Sequence, residues 1–411
     1  TSCVCSAKAM ATVTPTHSTR SVAMKTRGVS NPAFAFIRTD LSNGWPHDER
    51  IGETAHDSPF GANPWDDLTA SRPQKGGPVR HNDIPSGIAT GMGGLPHRDA
   101  AEAAEFVLEQ MELPAIPTLP RRSPAEGSIA QAMVGMRGIT VGQYGSISVD
   151  PARIDPLAPV VTDLHHDSFG GFRAFLEAAR GRSGWVKWQV VGPVTLGQAL
   201  MRAGVPMSVA FEAAVRCVRQ RVEHLAAAVD KALPYCDQLV FVEEADLANL
   251  MDPGFPVAPD TAIDLVSGAL AAVESVGVAG LHVCGLADIP SQLATGPAVL
   301  SVPVRAEVLE SAGYLLRYME RGGFVAWGVV PTSGPIPTSA ERPWRHLSKL
   351  WCDMVGLGAD PALLRRQSII TPECGLSPHT PSVALRVHRI AAEVSSRVRD
   401  QASASGWVLG A

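Results

Sequence analysis

One histidine and two cysteines have the residue types and positions expected of a metal site. His282 and Cys284 are separated by one residue at the end of a short apolar run, and Cys374 follows at the end of another such run. In an extended strand, residues two apart project from the same face, so His282 and Cys284 can bind the same metal ion. Zinc accepts imidazole and thiolate ligands together, and three protein ligands leave one coordination position open. The three residues therefore predict a Zn²⁺ site at which a reaction takes place.

The same residue types also have a purely structural interpretation. A buried cysteine behaves as a small apolar side chain, and a strand histidine can simply be satisfied within the core. We favour the metal site because both runs are predicted to be strands whose carboxyl ends meet. The remaining cysteines within the folded region are interpreted as structural, since they fall in or near predicted helices: Cys217, Cys236 and Cys352.

The elements that must position these residues alternate along the chain from residue 86 to residue 411. Short apolar runs are followed by amphipathic, alanine-rich stretches, which is typical of parallel βα units. Helices are predicted over 98–112 and 260–276, and between the third strand and about residue 232. Eight runs are predicted to be strands: 87–96, 113–120, 185–196, 238–246, 280–285, 298–304, 323–332 and 368–376. The sequence therefore predicts an α/β fold, a single (β/α)8 TIM barrel that forms the catalytic domain.

Residues 121–184 interrupt this alternation after the second predicted strand. Their glycine-rich segment 138–151 predicts an inserted β-hairpin. An insertion at this point would lie over the carboxyl ends of the strands and could cover an active site, although an insertion without a function is an equal alternative. His165 and His166 within it, and His379 after the last strand, could reach the site, but histidines in loops are usually solvated.

Further groups are predicted at the rim where the carboxyl ends of barrel strands meet. Glu243 and Glu244 end the fourth strand and face opposite ways, so one carboxylate can face the interior and bind a cation or take a proton. An exposed pair engaged in salt bridges is the alternative. Gly93 and Gly94 end the first strand, where the lack of side chains lets a ligand approach the backbone N–H groups.

Composition limits the classes of partner. The chain of 411 residues has a net charge of −5 and a pI near 6.2, which argues against nucleic acid. Its apolar runs are shorter than the roughly 18–20 residues needed to span a bilayer, so no membrane partner is predicted. Seven cysteines without a framework spacing suit a reducing cytoplasm, which is the predicted location.

Residues 1–85 differ in composition from the rest of the chain. They are rich in Thr, Ser, Pro, Gly and Asn, and the first acidic residue is Asp40. A basic, hydroxyl-rich start without acidic residues is typical of a transit peptide. We favour the alternative of a low-complexity, disordered extension.

Four segments resemble the catalytic barrel of cobalamin-independent methionine synthase. They are VVGPVTL (190–196), VFVEEADL (240–247), LHVCG (281–285) and TPECGL (371–376). The similarity covers roughly residues 85–400 and is greatest to short, single-barrel relatives. The wider superfamily includes uroporphyrinogen decarboxylase and epoxyalkane:coenzyme M transferase.

The resemblance implies thiol alkylation. In that family zinc holds a substrate thiol as a thiolate, which attacks the methyl group of a methyltetrahydrofolate and converts homocysteine to methionine. The implied partners are therefore a small thiol and a methyl donor. The implied zinc ligands are His282, Cys284 and Cys374, the implied contact of the substrate amino group is Glu243, and the implied contacts near its carboxylate are Gly93 and Gly94.

The chain departs from the family pattern at several places. Pro303 stands where the family has a glutamate zinc ligand, with Glu307 a few residues on. Residues 330–333 lack the histidine acid of the seventh strand, Glu126 is displaced from the position of a second substrate-binding glutamate, and Gly94 replaces a serine.

These departures leave three other functions open. The zinc thiolate could attack another electrophile, as in the coenzyme M transferase, or the barrel could be degenerate and bind metal without catalysis. A metal-free, decarboxylase-like enzyme would need a basic pocket for an acidic tetrapyrrole, for which Arg121 and Arg122 are the candidates.

Overall fold

Nine strands and eleven helices are formed in the part of the chain that the structure, a computed structural model, describes: residues 83–142 and 146–403. The strands are β1 Ile88–Ala89, β2 Ile139–Val141, β3 Ile147–Val149, β4 Ser183–Val191, β5 Tyr235–Glu243, β6 Val278–His282, β7 Val299–Pro303, β8 Phe324–Val330 and β9 Ser368–Pro372. The helices are α1 Ala100–Gln110, α2 Ser128–Met133, α3 Gly170–Ala178, α4 Pro193–Arg202, α5 Met207–Ala232, α6 Pro259–Glu274, α7 Ile289–Ala294, α8 Ala312–Glu320, α9 Glu341–Gly356, α10 Pro361–Arg366 and α11 Pro381–Ser403. Apart from residues 83–85, the extension predicted for residues 1–85 lies outside the described residues.

Seven strands form one parallel sheet. Its order is β1-β9-β8-β7-β6-β5-β4, so the first strand of the sheet pairs with the last, and the others follow one another along the chain. Helices connect the successive strands from β4 to β9, because a parallel pair needs a long crossover that returns the chain to the same end. The α/β class and the parallel βα winding predicted from the sequence are confirmed.

The segment 113–118 lies between β1 and β4, the two edge strands of this sheet. Single parallel bridges join Thr90 to Leu113, Gly94 to Thr118 and Ala115 to Lys187. This is the segment predicted to be the second strand, but no regular strand forms. Its prolines explain the difference, because Pro114, Pro117 and Pro120 have no N–H to donate to a neighbouring ladder. The structure thus shows a seven-stranded sheet with an irregular segment linked to both of its edges.

The insertion between residues 121 and 184 contains the predicted hairpin. Strands β2 and β3 pair antiparallel, with Ile139 opposite Val149 and Val141 opposite Ile147. Short helices flank this hairpin, and α3 then leads the chain back to β4. An inserted hairpin at this place is therefore confirmed.

Apolar side chains fill both faces of the sheet, as expected for strands covered by helices. A large cluster packs between the strands and the helices. A smaller cluster joins residues from β1, segment 113–118 and strands β5 to β9: Ile84, Ile88, Leu113, Leu239, Phe241, Val278, Val299, Phe324, Ala326 and Ile369. The smaller cluster shows that the strands surround a common interior, and that Leu113 belongs to it.

Several predicted strands extend too far at their carboxyl ends. The third was predicted to reach residue 196, but α4 begins at Pro193, a residue that is well tolerated in the first turn of a helix. The fifth ends at His282 and the eighth at Pro372, so Cys284 and Cys374 each lie in the loop that follows. Within the described residues, no helix is long and apolar enough to cross a bilayer.

Candidate active site

His282, Cys284 and Cys374 come together at the carboxyl ends of β6 and β9. One ligand atom from each residue lies within 4.8 Å of the other two. His282 is 2% exposed, whereas Cys284 is exposed and Cys374 is half-buried. The structure thus brings together the three residues that the sequence predicts as metal ligands.

The loop that carries Cys374 is fixed on both sides of the cysteine. The N–H of Glu373 donates to the carbonyl of Val330 at 2.9 Å, and the N–H of Leu376 donates to the carbonyl of Gly94 at 2.7 Å. Glu373 also forms an ion pair with Arg305, which follows β7. Backbone contacts to β8 and to the β1 loop therefore hold the thiol of Cys374 at the rim.

Cys284 and Cys374 are joined as a disulfide in this structure, with their Cα atoms 5.9 Å apart. Zinc binds cysteine as the thiolate. The form of the protein that could hold a metal through all three residues is therefore the reduced form. With the bond reduced, one imidazole and two thiolates form a donor set that suits Zn²⁺.

The imidazole of His282 is oriented by a hydroxyl group. Nδ1 lies 3.0 Å from Oγ of Ser301 on β7, and Nε2 lies 3.4 Å from Sγ of Cys284. Burial, together with the positive charge of Lys187, lowers the pKa of His282 to about 3. The ring is therefore neutral at physiological pH, and its Nε2 is directed toward the cysteines, which is the arrangement a metal ligand needs.

A cavity of about 470 Å³ opens beside these three residues. It lies at the carboxyl ends of the strands, where (β/α) sheets place their ligand sites. Its walls come from the loops after β1, β6 and β9, from the segment near residue 118, from β4, β5 and α4, and from the start of the insertion. The wall includes Gly94, Glu126, Ile129, Gln189, Val191, Thr195, Glu243 and Ser377.

The start of the insertion forms one wall of this cavity. Residues 126–129 line it, and Ile129 also lines a neighbouring cavity together with Ile147 and Val149 of the hairpin. The insertion thus contributes directly to the wall of the cavity, and its covering of the site stays a prediction.

Glu243 is the predicted carboxylate that faces the interior. It lines the cavity and lies beside His282 in the register of β5 and β6. Burial raises the pKa of Glu243, and the positive charge of Lys187 opposes that rise. The same pair acts in the other direction on Lys187, where burial lowers the pKa and Glu243 opposes the change. Glu243 thus presents an acidic group to any ligand of the cavity.

Glu244 has a different role from its neighbour. Its side chain is 0% exposed and accepts hydrogen bonds from the N–H groups of Val194 and Thr195, at 2.9 and 2.7 Å, and from the Thr195 hydroxyl at 2.6 Å. Burial raises the pKa of Glu244 to about 7, against the effect of these hydrogen bonds. Glu244 therefore caps the first turn of α4, and the alternative of an exposed salt-bridge pair is wrong.

The two glycines predicted near a substrate carboxylate lie in different contacts. Gly94 lines the cavity, and a Cβ at that position would lie 2.7 Å from Oγ of Ser377. Gly93 has φ +78°, and a Cβ there would lie 1.4 Å from Nε2 of Gln189. Gly93 is therefore required by both its backbone conformation and the close approach of the Gln189 amide.

Glu126, the displaced glutamate of the insertion, is engaged by hydrogen bonds and an ion pair within the protein. Glu126 forms a 2.5 Å ion pair with Arg122 and accepts hydrogen bonds from the N–H groups of Leu119 and Gly171. Burial raises the pKa of Glu126 to about 7, and Arg122 is the main group that opposes the rise. Glu126 therefore fixes the entry of the insertion at the edge of the cavity.

Two arginines were the candidates for binding an acidic tetrapyrrole, and neither lines the cavity. Arg122 is engaged by Glu126 and by Asp167 at 2.8 Å. Arg121 is directed to the carbonyl of Pro378, to which it donates at 2.5 Å. A basic pocket at this end of the sheet is therefore not formed by these two residues.

The other predicted candidates lie apart from the cavity wall. Glu307 is exposed in a short turn after β7, and Pro303 is buried at the end of that strand. His379 lies 2.8 Å through Nε2 from the carbonyl of Thr332. His165 and His166 lie in the turn before α3, and neither lines the cavity.

Three residues of the site were not identified from the sequence: Lys187, Gln189 and Ser301. Lys187 and Gln189 lie within β4 at a spacing of two, so both face the interior together with Val191. A lysine within an otherwise buried run is a signal that could have found them. Ser301 gave no such signal, because a serine in an apolar strand is common and its pairing with His282 depends on the fold.

The comparisons with known proteins bear on the fold. No protein-family model and no curated protein matches this sequence. Among solved structures, a B12-independent methionine synthase from Shewanella sp. W3-18-1, in complex with selenomethionine, matches with a TM-score of 0.50 at 14% identity, over 77% of this chain and 98% of that one. A vitamin-B12-independent methionine synthase structure from Listeria monocytogenes matches with a TM-score of 0.49 at 12% identity, over 75% of this chain and 86% of that one.

The chain shares the fold of a B12-independent methionine synthase. The resemblance drawn from four strand segments is thus confirmed at the level of the fold. At 14% identity the likeness does not extend to substrates, so the activity has to be argued from the residues of this chain.

Proposed function

We propose that the protein is a zinc-dependent thiol S-methyltransferase whose (β/α)8 barrel is completed by segment 113–118. The observation that carries the proposal is the convergence of His282, Cys284 and Cys374 beside a cavity of about 470 Å³. The matching fold of a B12-independent methionine synthase, solved in complex with selenomethionine, supports homocysteine as the first thiol to test.

The residues of the chain supply the parts such a reaction needs. His282, Cys284 and Cys374 would hold the metal, which, when bound, lowers the pKa of a substrate thiol so that it is a nucleophile at neutral pH. Ser301 keeps His282 in a ligating orientation. Glu243 offers a carboxylate to the amino group of the substrate, and residues 126–129 of the insertion form one wall of the cavity.

The reduced state of the two cysteines is a condition of this function. A reducing compartment such as the cytoplasm keeps both thiols available for metal. We therefore expect the active form to carry Cys284 and Cys374 as thiolates, and the disulfide form to lack the metal.

Metal content and thiol alkylation test the proposal together. Protein purified with a disulfide reductant should bind about one Zn²⁺ per chain, and Cys284→Ser and Cys374→Ser should each remove most of it. Cys352→Ser is the matched control, because Cys352 is an exposed free cysteine outside the site. If both site variants keep the zinc of the unmodified protein, the zinc site is wrong.

The electrophile is tested on the same preparations. The zinc-loaded protein should methylate homocysteine with a methyltetrahydrofolate as donor, and the site variants should not. Alkylation by an epoxide instead of a methyl donor would show a transferase for another electrophile. Zinc binding without alkylation by either donor would overturn the enzymatic proposal.

A further inference from the structure

We propose that Gln189 binds the substrate of this cavity, by donating an amide N–H to a carboxylate of the thiol, and that Lys187 is the residue that positions this amide. The inference rests on the proposed function, which supplies the thiol. It adds a substrate contact on β4 and states the chemical group that this contact recognises.

Gln189 lies on the cavity wall close to the metal ligands. It lines the cavity from β4, two residues before Val191 on the same face. Val191 is level with Glu243, and Glu243 is level with His282 in the registers of the adjacent strands. The amide of Gln189 is therefore one step deeper in the interior than the imidazole.

A buried lysine determines which way the Gln189 amide points. The side chain of Lys187 is 0% exposed, and its Nζ lies 3.2 Å from Oε1 of Gln189. An ammonium group can only donate, so the atom facing it must be the amide oxygen. The orientation of the amide thus follows from its chemistry, which removes the usual ambiguity between the oxygen and nitrogen of a glutamine.

Lys187 is itself held by the interior of the sheet. Its Nζ lies 4.7 Å from the centre of the Phe241 ring. A cation over an aromatic face is attracted to it, which keeps the ammonium group in the interior beside Gln189. The oxygen of Gln189 is therefore held in place by its hydrogen bond from Lys187.

Because the oxygen of the Gln189 amide faces Lys187, its nitrogen lies on the opposite side, next to Gly93. A Cβ at residue 93 would lie 1.4 Å from Nε2, so the amide occupies the space that a side chain would take. The nearby carbonyl of Gly93 already accepts from the N–H of Thr118 at 3.0 Å. Among the described residues, the side chain of Gln189 bonds through Oε1 and forms no hydrogen bond through Nε2, so its amide N–H groups are free to donate to a ligand.

The charge behind the amide favours an anionic acceptor. The ammonium group of Lys187 polarises Gln189 through its oxygen, which strengthens donation by the amide nitrogen. A carboxylate is the anionic group of a small thiol that can accept such a bond, and hydrogen bonds to charged groups are the stronger ones. Glu243, on the adjacent strand, would repel a carboxylate. Gln189 and Glu243 therefore distinguish the carboxylate of a substrate from its amino group.

A pair of thiols that differ only in charge tests this recognition. The probes are 3-mercaptopropionate and its methyl ester, and binding to the reduced, zinc-loaded protein is measured by calorimetry. The unmodified protein should bind the carboxylate about 10- to 100-fold more tightly than Gln189→Leu does, while the affinity for the ester should stay within about threefold. Lys187→Met should reduce the preference for the carboxylate in the same direction.

Gln292→Leu is the matched control, because Gln292 is a buried glutamine that does not line the cavity. Its preference should equal that of the unmodified protein, and urea unfolding checks that each variant is folded. An unchanged preference in Gln189→Leu, or no binding of either probe to the unmodified protein, would overturn the assignment. Selective binding of the carboxylate without methyl transfer would support Gln189 and overturn the proposed methyltransferase, so the two failures are distinguishable.

Discussion

His282 can bind a metal only while its ring keeps one orientation, and Ser301 is the residue that keeps it. The two side chains meet at 3.0 Å through Nδ1 and Oγ. Residues that orient metal-binding histidines in this way typically change metal affinity by about 10- to 100-fold when they are removed. The contact therefore links a buried serine of β7 to the metal affinity expected of the proposed site.

Ser301→Ala should weaken zinc binding about tenfold without removing it, because the three ligands remain while the ring loses its partner. The measurement is competition for zinc with a chromophoric chelator on the reduced protein. Ser275→Ala is the control, since Ser275 is exposed at the end of α6, where its hydroxyl donates to the carbonyl of Ala272. Equal affinities of Ser301→Ala and the unmodified protein would contradict the role assigned to Ser301.

The candidate ligands could be predicted from the sequence because their signal is local. His282 and Cys284 are two apart at a strand end, and Cys374 follows a second strand end. Lys187, Gln189 and Ser301 act through contacts between neighbouring strands, and their meaning depends on register. The redox state of Cys284 and Cys374 likewise depends on how near the two loops come, which a separation of 90 residues does not reveal.

Helix α4 begins over a carboxylate from another element. Glu244, just after β5, accepts from Val194 and Thr195 in the first turn of this helix. The arrangement satisfies N–H groups that have no partner inside the helix, and the negative charge lies at the favourable end of the helix dipole. The contact thus fixes α4, whose Thr195 lines the cavity, to the end of β5.

Glu244→Gln should destabilise the protein by about 1–3 kcal/mol, because an amide cannot accept at both of its terminal atoms and one donor is left buried without a partner. The measurement is the midpoint of urea unfolding at neutral pH. Glu274→Gln at the exposed end of α6 is the matched control and should change the free energy of unfolding by less than about 0.5 kcal/mol. A Glu244 variant as stable as this control would contradict the capping role.

Most helices and strands could be predicted because their apolar patterns are strong. The errors occur where a proline lies within an apolar run and changes the backbone structure. The run 185–196 is apolar throughout, yet Pro193 starts a helix within it. The run 113–120 is apolar and extended, yet its prolines prevent a regular ladder. In both places a proline, not hydrophobicity, decides the backbone structure.

Segment 113–118 bridges the two edges of the whole sheet. The N–H of Leu113 donates to Ala89 at 3.1 Å, that of Thr118 donates to Gly93 at 3.0 Å, and that of Ile116 donates to Lys187 at 2.7 Å. If this segment completes the barrel, its amides should resist exchange as the strands do.

Hydrogen exchange measured by mass spectrometry or NMR tests this closure. The amides of Leu113, Ile116 and Thr118 should exchange as slowly as those of β8, and the exposed turn 251–254 should exchange rapidly as an internal reference. Rapid exchange at the three amides would show a sheet that is open along this side.

Acid stability depends on buried imidazoles between the first and last helices. His97 and His388 both pack against Phe106, with ring centres 4.8 and 5.7 Å from it. Burial, together with the nearby His97, lowers the pKa of His388 to about 4. Burial also lowers the pKa of His97, which Glu102 opposes. Both rings are therefore neutral in the folded protein at neutral pH.

The sign of the pH effect follows from the unfolded chain, where histidine has a pKa near 6.5 and takes up a proton first. The stability contributed by neutral His388 is complete above that pH and is lost as the pH falls toward 4. Between pH 7 and pH 5 the loss should be about 2 kcal/mol. His388→Gln should remove most of this pH dependence from the free energy of unfolding, and His346→Gln, at an exposed position, should keep it. An unaltered pH dependence in His388→Gln would contradict the assignment.

The pairing of β1 with β9 has a consequence for synthesis of the protein. Ile88 and Ile369 are neighbours in the sheet, and Cys374 follows only a few residues later. A ribosome delivers Ile88 long before Ile369, so one edge of β1 stays unpaired until the other strands of the sheet have been made. Cys374, the last of the three proposed metal ligands, leaves the ribosome together with the strand that pairs with β1. Acquisition of zinc would therefore report that the last strand of the sheet has been made. A chain stalled before residue 368 would expose an unpaired strand edge, which can pair with other chains or be bound by chaperones.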